Sequence, residues 1–276
     1  MFFHRKELIS RVRCDAPDAA FGQKLLEQFG GATGELTAAL TYWVQSFHVE
    51  NAGIRDMLQD IALEEFSHLE MVGKLIEMHT TGVDQTAAYK SSLFSIRGMG
   101  PHFVDSNGVG WSAAYINEGG NVVRDLRADI AAEAGARQTY EALIKIAADE
   151  GTKKTLHTLL TREIAHTQMF MAALQSLDKL DDPMFGNVPP DDTVKLYFNL
   201  SKDGQEGDVR GPWNDDDSFD YQTDPQPKGE MPEGPANPDD EGSPAGFKGI
   251  SAHRPAKKPA RARLGSAAPR LGKTAT

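Results

Sequence analysis

Two segments of this chain, Glu65-Phe66-Ser67-His68 and Glu163-Ile164-Ala165-His166, repeat one pattern, and a lone glutamate, Glu35 or Glu133, stands thirty residues upstream of each. Glutamate and histidine three apart on a helix project from the same face, so each pair can give one ion an oxygen and a nitrogen. The two copies superpose at an offset of ninety-eight residues, and Met71 and Met169 keep the same offset, which reads as an internal duplication. A fold that satisfies both copies must gather four helices around six inward-facing groups, a site for two ions.

The rest of the chain supplies the helices. Apolar residues recur at threes and fours over about 17–48, 52–79, 121–148 and 152–177. Asp15 ahead of Pro17, and Thr152 after Gly151, are the expected start signals of the first and fourth. Gly30 and Gly31 weaken the first by up to ~2 kcal/mol relative to alanine. A kink or close contact is expected there, with a break into two pieces as the alternative. The connections at 51–53 and at Glu150-Gly151 are short enough to make each pair an antiparallel hairpin, whereas about 80–120 is a long connection containing Gly98-Met99-Gly100-Pro101. Two hairpins and one long crossover make an all-α, ferritin-like four-helix bundle.

The bundle takes residues 1–178, and 179–212 is expected to be an extended segment packing on it. From 213 to 276 proline and glycine crowd the sequence, acidic over Asp215 to Glu241 and basic from Lys248, and such segregated charge with few apolar residues predicts a disordered tail. The net charge of -11 argues against nucleic acid as a partner. Cys14 is the single cysteine, which rules out a disulfide framework and any cysteine-held cluster and fits a reducing cytoplasm. The first residues lack the pattern of a secretory signal, and no run approaches ~20 apolar residues, so a cytoplasmic protein with no membrane span is expected.

Four carboxylates at core-facing positions decide the chemistry. An ionised carboxylate in a dry core costs several kcal/mol, and a domain with ~5–15 kcal/mol of stability cannot absorb that four times. Bound cations remove the problem. Carboxylate and imidazole together suit manganese or iron, whereas structural zinc would want cysteines and calcium would want oxygen alone.

With those residues in hand, the segments Gly30-Gly31-Ala32-Thr33-Gly34-Glu35, Glu64-Glu65-Phe66-Ser67-His68, Ala131-Ala132-Glu133-Ala134 and Thr161-Arg162-Glu163-Ile164-Ala165-His166 resemble the signatures of the manganese catalases. The resemblance runs from residue 1 to about 213. It implies two manganese ions, one held by Glu35 and His68 and the other by Glu133 and His166, with Glu65 bridging them. Glu163 is implied to relay protons from beside the pair, although in di-iron relatives the same position can bridge. Tyr42, seven residues after Glu35, matches a tyrosine beside the cluster. Where relatives carry an arginine before the third glutamate, or a lysine one or two turns later, this chain has Ala132 and Tyr140.

The resemblance further implies a homohexamer in which the stretch after Leu177 wraps neighbouring subunits. It also points to a calcium site. Asp56 and Asp60, four apart on one helix, repel unless a hard cation lies between them. Asn199 and Ser201 match the segment that completes such a site in some relatives, although the glycine that follows there falls at Asp203 or Gly204. The implied reaction is disproportionation of hydrogen peroxide to water and oxygen. The competing readings are a di-iron oxidase or peroxidase and a non-catalytic coat protein.

Overall fold

The computed structural model describes residues 5–82, 92–184, 186, 188–198, 211, 213 and 219–222. Among them the α-helices are α1 (Ala19–Gly30), α2 (Glu35–Ser46), α3 (Ala52–Thr80), α4 (Ser92–Arg97), α5 (Val122–Ile146) and α6 (Glu150–Ser176). The starts of the long helices are chemically marked. Asn51 accepts from the amides of Gly53 and Ile54, Asn121 from those of Val123 and Arg124, and Asp149 from that of Thr152, each satisfying donors that have no partner inside the helix. Asp18 does the same for α1 through the amide of Ala20. The expected signals at Asp15 and Thr152 therefore stand three residues from the true caps. Thr152 already lies inside the helix, where its amide and hydroxyl both donate to Asp149.

The first expected helix, 17–48, is broken rather than kinked. A Cβ on Gly30 would lie 2.6 Å from the backbone N and O of Val104, one on Gly31 2.3 Å from the Glu27 carbonyl oxygen, and one on Gly34 2.7 Å from that of Gln28. The chain can pass this closely only without side chains, and the turn it makes frees Glu35 to open a new helix.

Apolar residues fall into two clusters. One contains Leu25, Leu26, Met71, Leu75, Leu143 and Leu156, and the other Tyr42, Leu58, Ile61, Leu126, Phe170 and Leu174. Along α3 the second cluster comes first and Glu65 and His68 lie between the two. The same order holds along α5 around Glu133, and α6 crosses in reverse with Glu163 and His166 between. Each hairpin is thus antiparallel, and a polar layer is held between two dry plugs. Each fully buried Leu or Phe contributes roughly 1.5–3 kcal/mol.

The crossover between the hairpins contains α4, a backbone bridge between Val104 and Gly110, and a short 3-10 turn at Ala113–Tyr115. Beyond α6, Arg127 donates to the carbonyls of Lys179, Asp182 and Pro183 and so ties the chain back to α5. The chain divides into two compact units, residues 1–187 and 188–276. In the second, a 3-10 turn at Asp192–Lys195 leads into β1 (Leu196–Phe198), which pairs in parallel with β2 (Asp220–Gln222). This small pairing was not expected from the sequence. Apart from Trp213 and 219–222, the tail expected over 213–276 lies outside the described residues.

Candidate metal centre

The first turn of α2 and the middle turns of α3, α5 and α6 deliver the six groups to one place. Glu35, Glu65, His68, Glu133, Glu163 and His166 are each at most 2 % exposed. Ligand atoms of Glu35, Glu65, His68 and Glu163 lie within 4.8 Å of one another, and so do those of Glu65, Glu133, Glu163 and His166. Glu65 and Glu163 belong to both sets, while each remaining glutamate and histidine belongs to one.

Glu65 stands between the histidines. Its Oε2 is 2.9 Å from His68 Nδ1 and its Oε1 is 2.7 Å from His166 Nδ1. Burial alone would push this carboxyl up, but the two imidazoles hold it well below the usual carboxylate range. Glu163 is placed differently, with Oε1 3.6 Å from His68 Nδ1 and a place in both ligand sets. Burial, then the charge of Glu65, pushes it well above that range. The same two causes push Glu35 up to about 8 and Glu133 to about 7. Burial lowers His166, yet Glu64 and Glu65 hold it up at about 9.

Two tyrosines cap the outer glutamates. Tyr42 donates to Glu133 Oε1 at 2.6 Å, and Tyr140 donates to Glu35 Oε1. Burial first, and the facing carboxylate second, raise both phenols, so both stay neutral donors. Asp129 accepts from Gln45 Nε2 at 2.8 Å nearby. A cavity of about 60 Å³ between α2 and α5 reaches the site, lined by Thr37, Tyr42, Asp129, Ala132, Glu133 and Glu163 among others. Ala132 thus stands where a longer residue would fill it.

The residues fit a pair of cations. Glu65 Oε1, Glu133 Oε2, Glu163 Oε1 and His166 Nδ1 are buried without a hydrogen bond among the described residues. The 2.7 Å approach of Glu65 to His166 is close but not directed as a hydrogen bond. Convergent, unsatisfied oxygen and nitrogen atoms in a dry layer are what a metal satisfies.

All six residues read from the sequence pattern are therefore brought together, with Tyr42 beside them. Asp56 and Asp60 lie exposed one turn apart on α3, away from this layer, and Asn199 and Ser201 fall outside the described residues. Sequence reasoning missed the contacts of Tyr140 and Glu64. Both could have been found by extending the offset of ninety-eight residues, which relates Tyr42 to Tyr140 and Glu64 to Arg162.

Comparison with known proteins gives a consistent result. The family model described as manganese containing catalase matches residues 1–263. A probable manganese catalase from Clostridium acetobutylicum is 34% identical over 210 residues, covering 74% of this chain and 92% of its own length. The manganese catalase of Bacillus subtilis strain 168 is 32% identical over 257 residues, covering 84% and 94%. Among solved structures, KatB, a manganese catalase from Anabaena, is 71% identical with a TM-score of 0.76, covering 80% of this chain and 99% of that one.

Proposed function

This chain belongs to the manganese-containing catalase family and disproportionates hydrogen peroxide at a dinuclear manganese site, and we propose which residues carry the reaction. Glu35 and His68 hold one ion, Glu133 and His166 the other, and Glu65 bridges them. The observation that carries this reading is the placement of Glu65, whose two oxygens each face one histidine Nδ1. Neither a di-iron oxidase nor a non-catalytic coat protein is favoured.

Bound manganese supplies a two-electron store that alternates between divalent and trivalent states, so two peroxides become two waters and one oxygen without an outside reductant. The chain's own residues manage the protons. Glu163, buried between the two ligand sets with Oε1 3.6 Å from His68 Nδ1, is placed to give a proton as the O–O bond of one peroxide is reduced. It takes a proton back from the next peroxide. Tyr42 and Tyr140 fix the outer carboxylates, and the cavity beside Ala132 admits a molecule as small as peroxide.

Further readings extend this account. Asp56 and Asp60 are proposed as calcium ligands, supported by the like charges one turn apart on α3. A hexameric assembly is implied by the family resemblance, and the single cysteine fits a reducing cytoplasm. No helix among the described residues is long and apolar enough to cross a membrane. The functional test is oxygen release from peroxide by protein reconstituted with manganese or with iron. Release with manganese alone supports the reading, and release with iron alone contradicts it.

A further inference from the structure

Glu64 and Arg162 occupy equivalent places in the two halves, ninety-eight residues apart, each immediately before a central glutamate. The other duplicated residues at the site keep their chemistry: glutamate at 35 and 133, tyrosine at 42 and 140, histidine at 68 and 166. This pair has opposite charges, and its members meet. Arg162 Nε donates to Glu64 Oε1 at 2.6 Å and Nη2 to Oε2 at 3.3 Å, a forked contact that fixes the carboxylate plane.

Inward of that contact lie the two histidines. His68 Nε2 is 3.5 Å from Glu64 Oε1 and His166 Nε2 is 3.3 Å from Oε2. Both distances are longer than a closed hydrogen bond, yet neither Nε2 has another partner among the described residues. The rings are stacked, with centroids 5.6 Å apart and planes 24° from parallel, so both Nε2 edges face one way while both Nδ1 atoms face Glu65.

We propose that Glu64, clamped by Arg162, is a positioning residue shared by both imidazoles, one carboxylate taking both Nε2–H groups so that both Nδ1 lone pairs face the metals. The inference rests on the two-manganese reading above. The partner of one ring nitrogen decides which tautomer the imidazole adopts and where its free lone pair points. Only an acid has an oxygen to spare for each ring. A second acid at position 162 would set like charges against each other, and the arginine there is what allows one acid to serve both halves.

The test is titration of metal-free protein with manganous ion, comparing wild type with Glu64→Ala, Glu64→Gln and Arg162→Met, and counting ions by elemental analysis. Glu64→Ala should weaken both ions by roughly 10–100-fold, the usual cost of an outer partner. Glu64→Gln, with one acceptor oxygen, should weaken one ion and spare the other, a split that a merely structural residue would not give. Arg162→Met should weaken both by less, and melting of each metal-free variant reports its folding. Two ions bound by Glu64→Ala as tightly as by wild type, or equal losses with Glu64→Ala and Glu64→Gln, would overturn the inference alone. A wild-type protein that takes up no manganese would overturn the underlying reading with it.

Discussion

Tyr140 donates its hydroxyl hydrogen bond to Glu35, and Tyr42, ninety-eight residues earlier, donates the same bond to Glu133. Each half of the duplication thus caps the outer glutamate of the other half. The two halves are interlocked at the site rather than merely packed against each other.

This exchange predicts crossed effects. Tyr42→Phe should weaken the manganese held by Glu133 and His166, and Tyr140→Phe the one held by Glu35 and His68, each by roughly 10–100-fold. Stepwise manganese binding curves check it. Equal weakening of both ions by either substitution would contradict the pairing.

Glu163→Gln separates proton relay from metal binding. The amide keeps the shape and polarity of the side chain but carries no transferable acid proton. Manganese content should stay at the wild-type level while turnover falls by about 10²–10⁴. Loss of one manganese per chain would mean that Glu163 is a ligand.

The metal-free protein should be sensitive to alkali. Glu35 at about 8, Glu133 at about 7 and His166 at about 9 all bind a proton more tightly folded than unfolded, where such groups titrate near ~4.3 and ~6.5. Their stabilisation is complete below the unfolded values and is lost as pH rises through the folded ones. Melting of stripped protein should therefore fall from about pH 4, where the glutamates begin to titrate in the unfolded chain, to about pH 9, and manganese-loaded protein should show little of this slope because the cations displace those protons. A flat or rising metal-free melting curve would count against it.

Gly30→Ala tests the close passage that ends α1. Its Cβ would meet the backbone of Val104 at 2.6 Å, whereas one on Gly110 meets nothing within 4 Å. Gly30→Ala should cost about 1–3 kcal/mol in urea unfolding and Gly110→Ala much less. Equal stability of the two variants would remove the argument for the break.

Much of this was legible in the sequence because ligand spacing and helical period are both local. Glu65 and His68 announce their shared face without reference to the rest of the chain, and the thirty-residue gaps to Glu35 and Glu133 match a hairpin. What depends on contact between distant helices was not legible. Nothing near Gly30 says that Val104 will lie against it, and although the offset relates Tyr140 to Tyr42, nothing local says which glutamate its hydroxyl will reach. The strand pair β1–β2 was hidden for the same reason, since its members are short and far apart in the chain.

The central claim is an unequal pair of central glutamates, Glu65 between two manganese ions and Glu163 beside them. Anomalous scattering at the manganese edge, from crystals of the protein grown with manganese, tests it most directly. The account predicts two peaks, one against Glu35 and His68 and one against Glu133 and His166, with Glu65 bonded to both and Glu163 to neither. A single peak, no manganese peak, or Glu163 bonded between two peaks would contradict it.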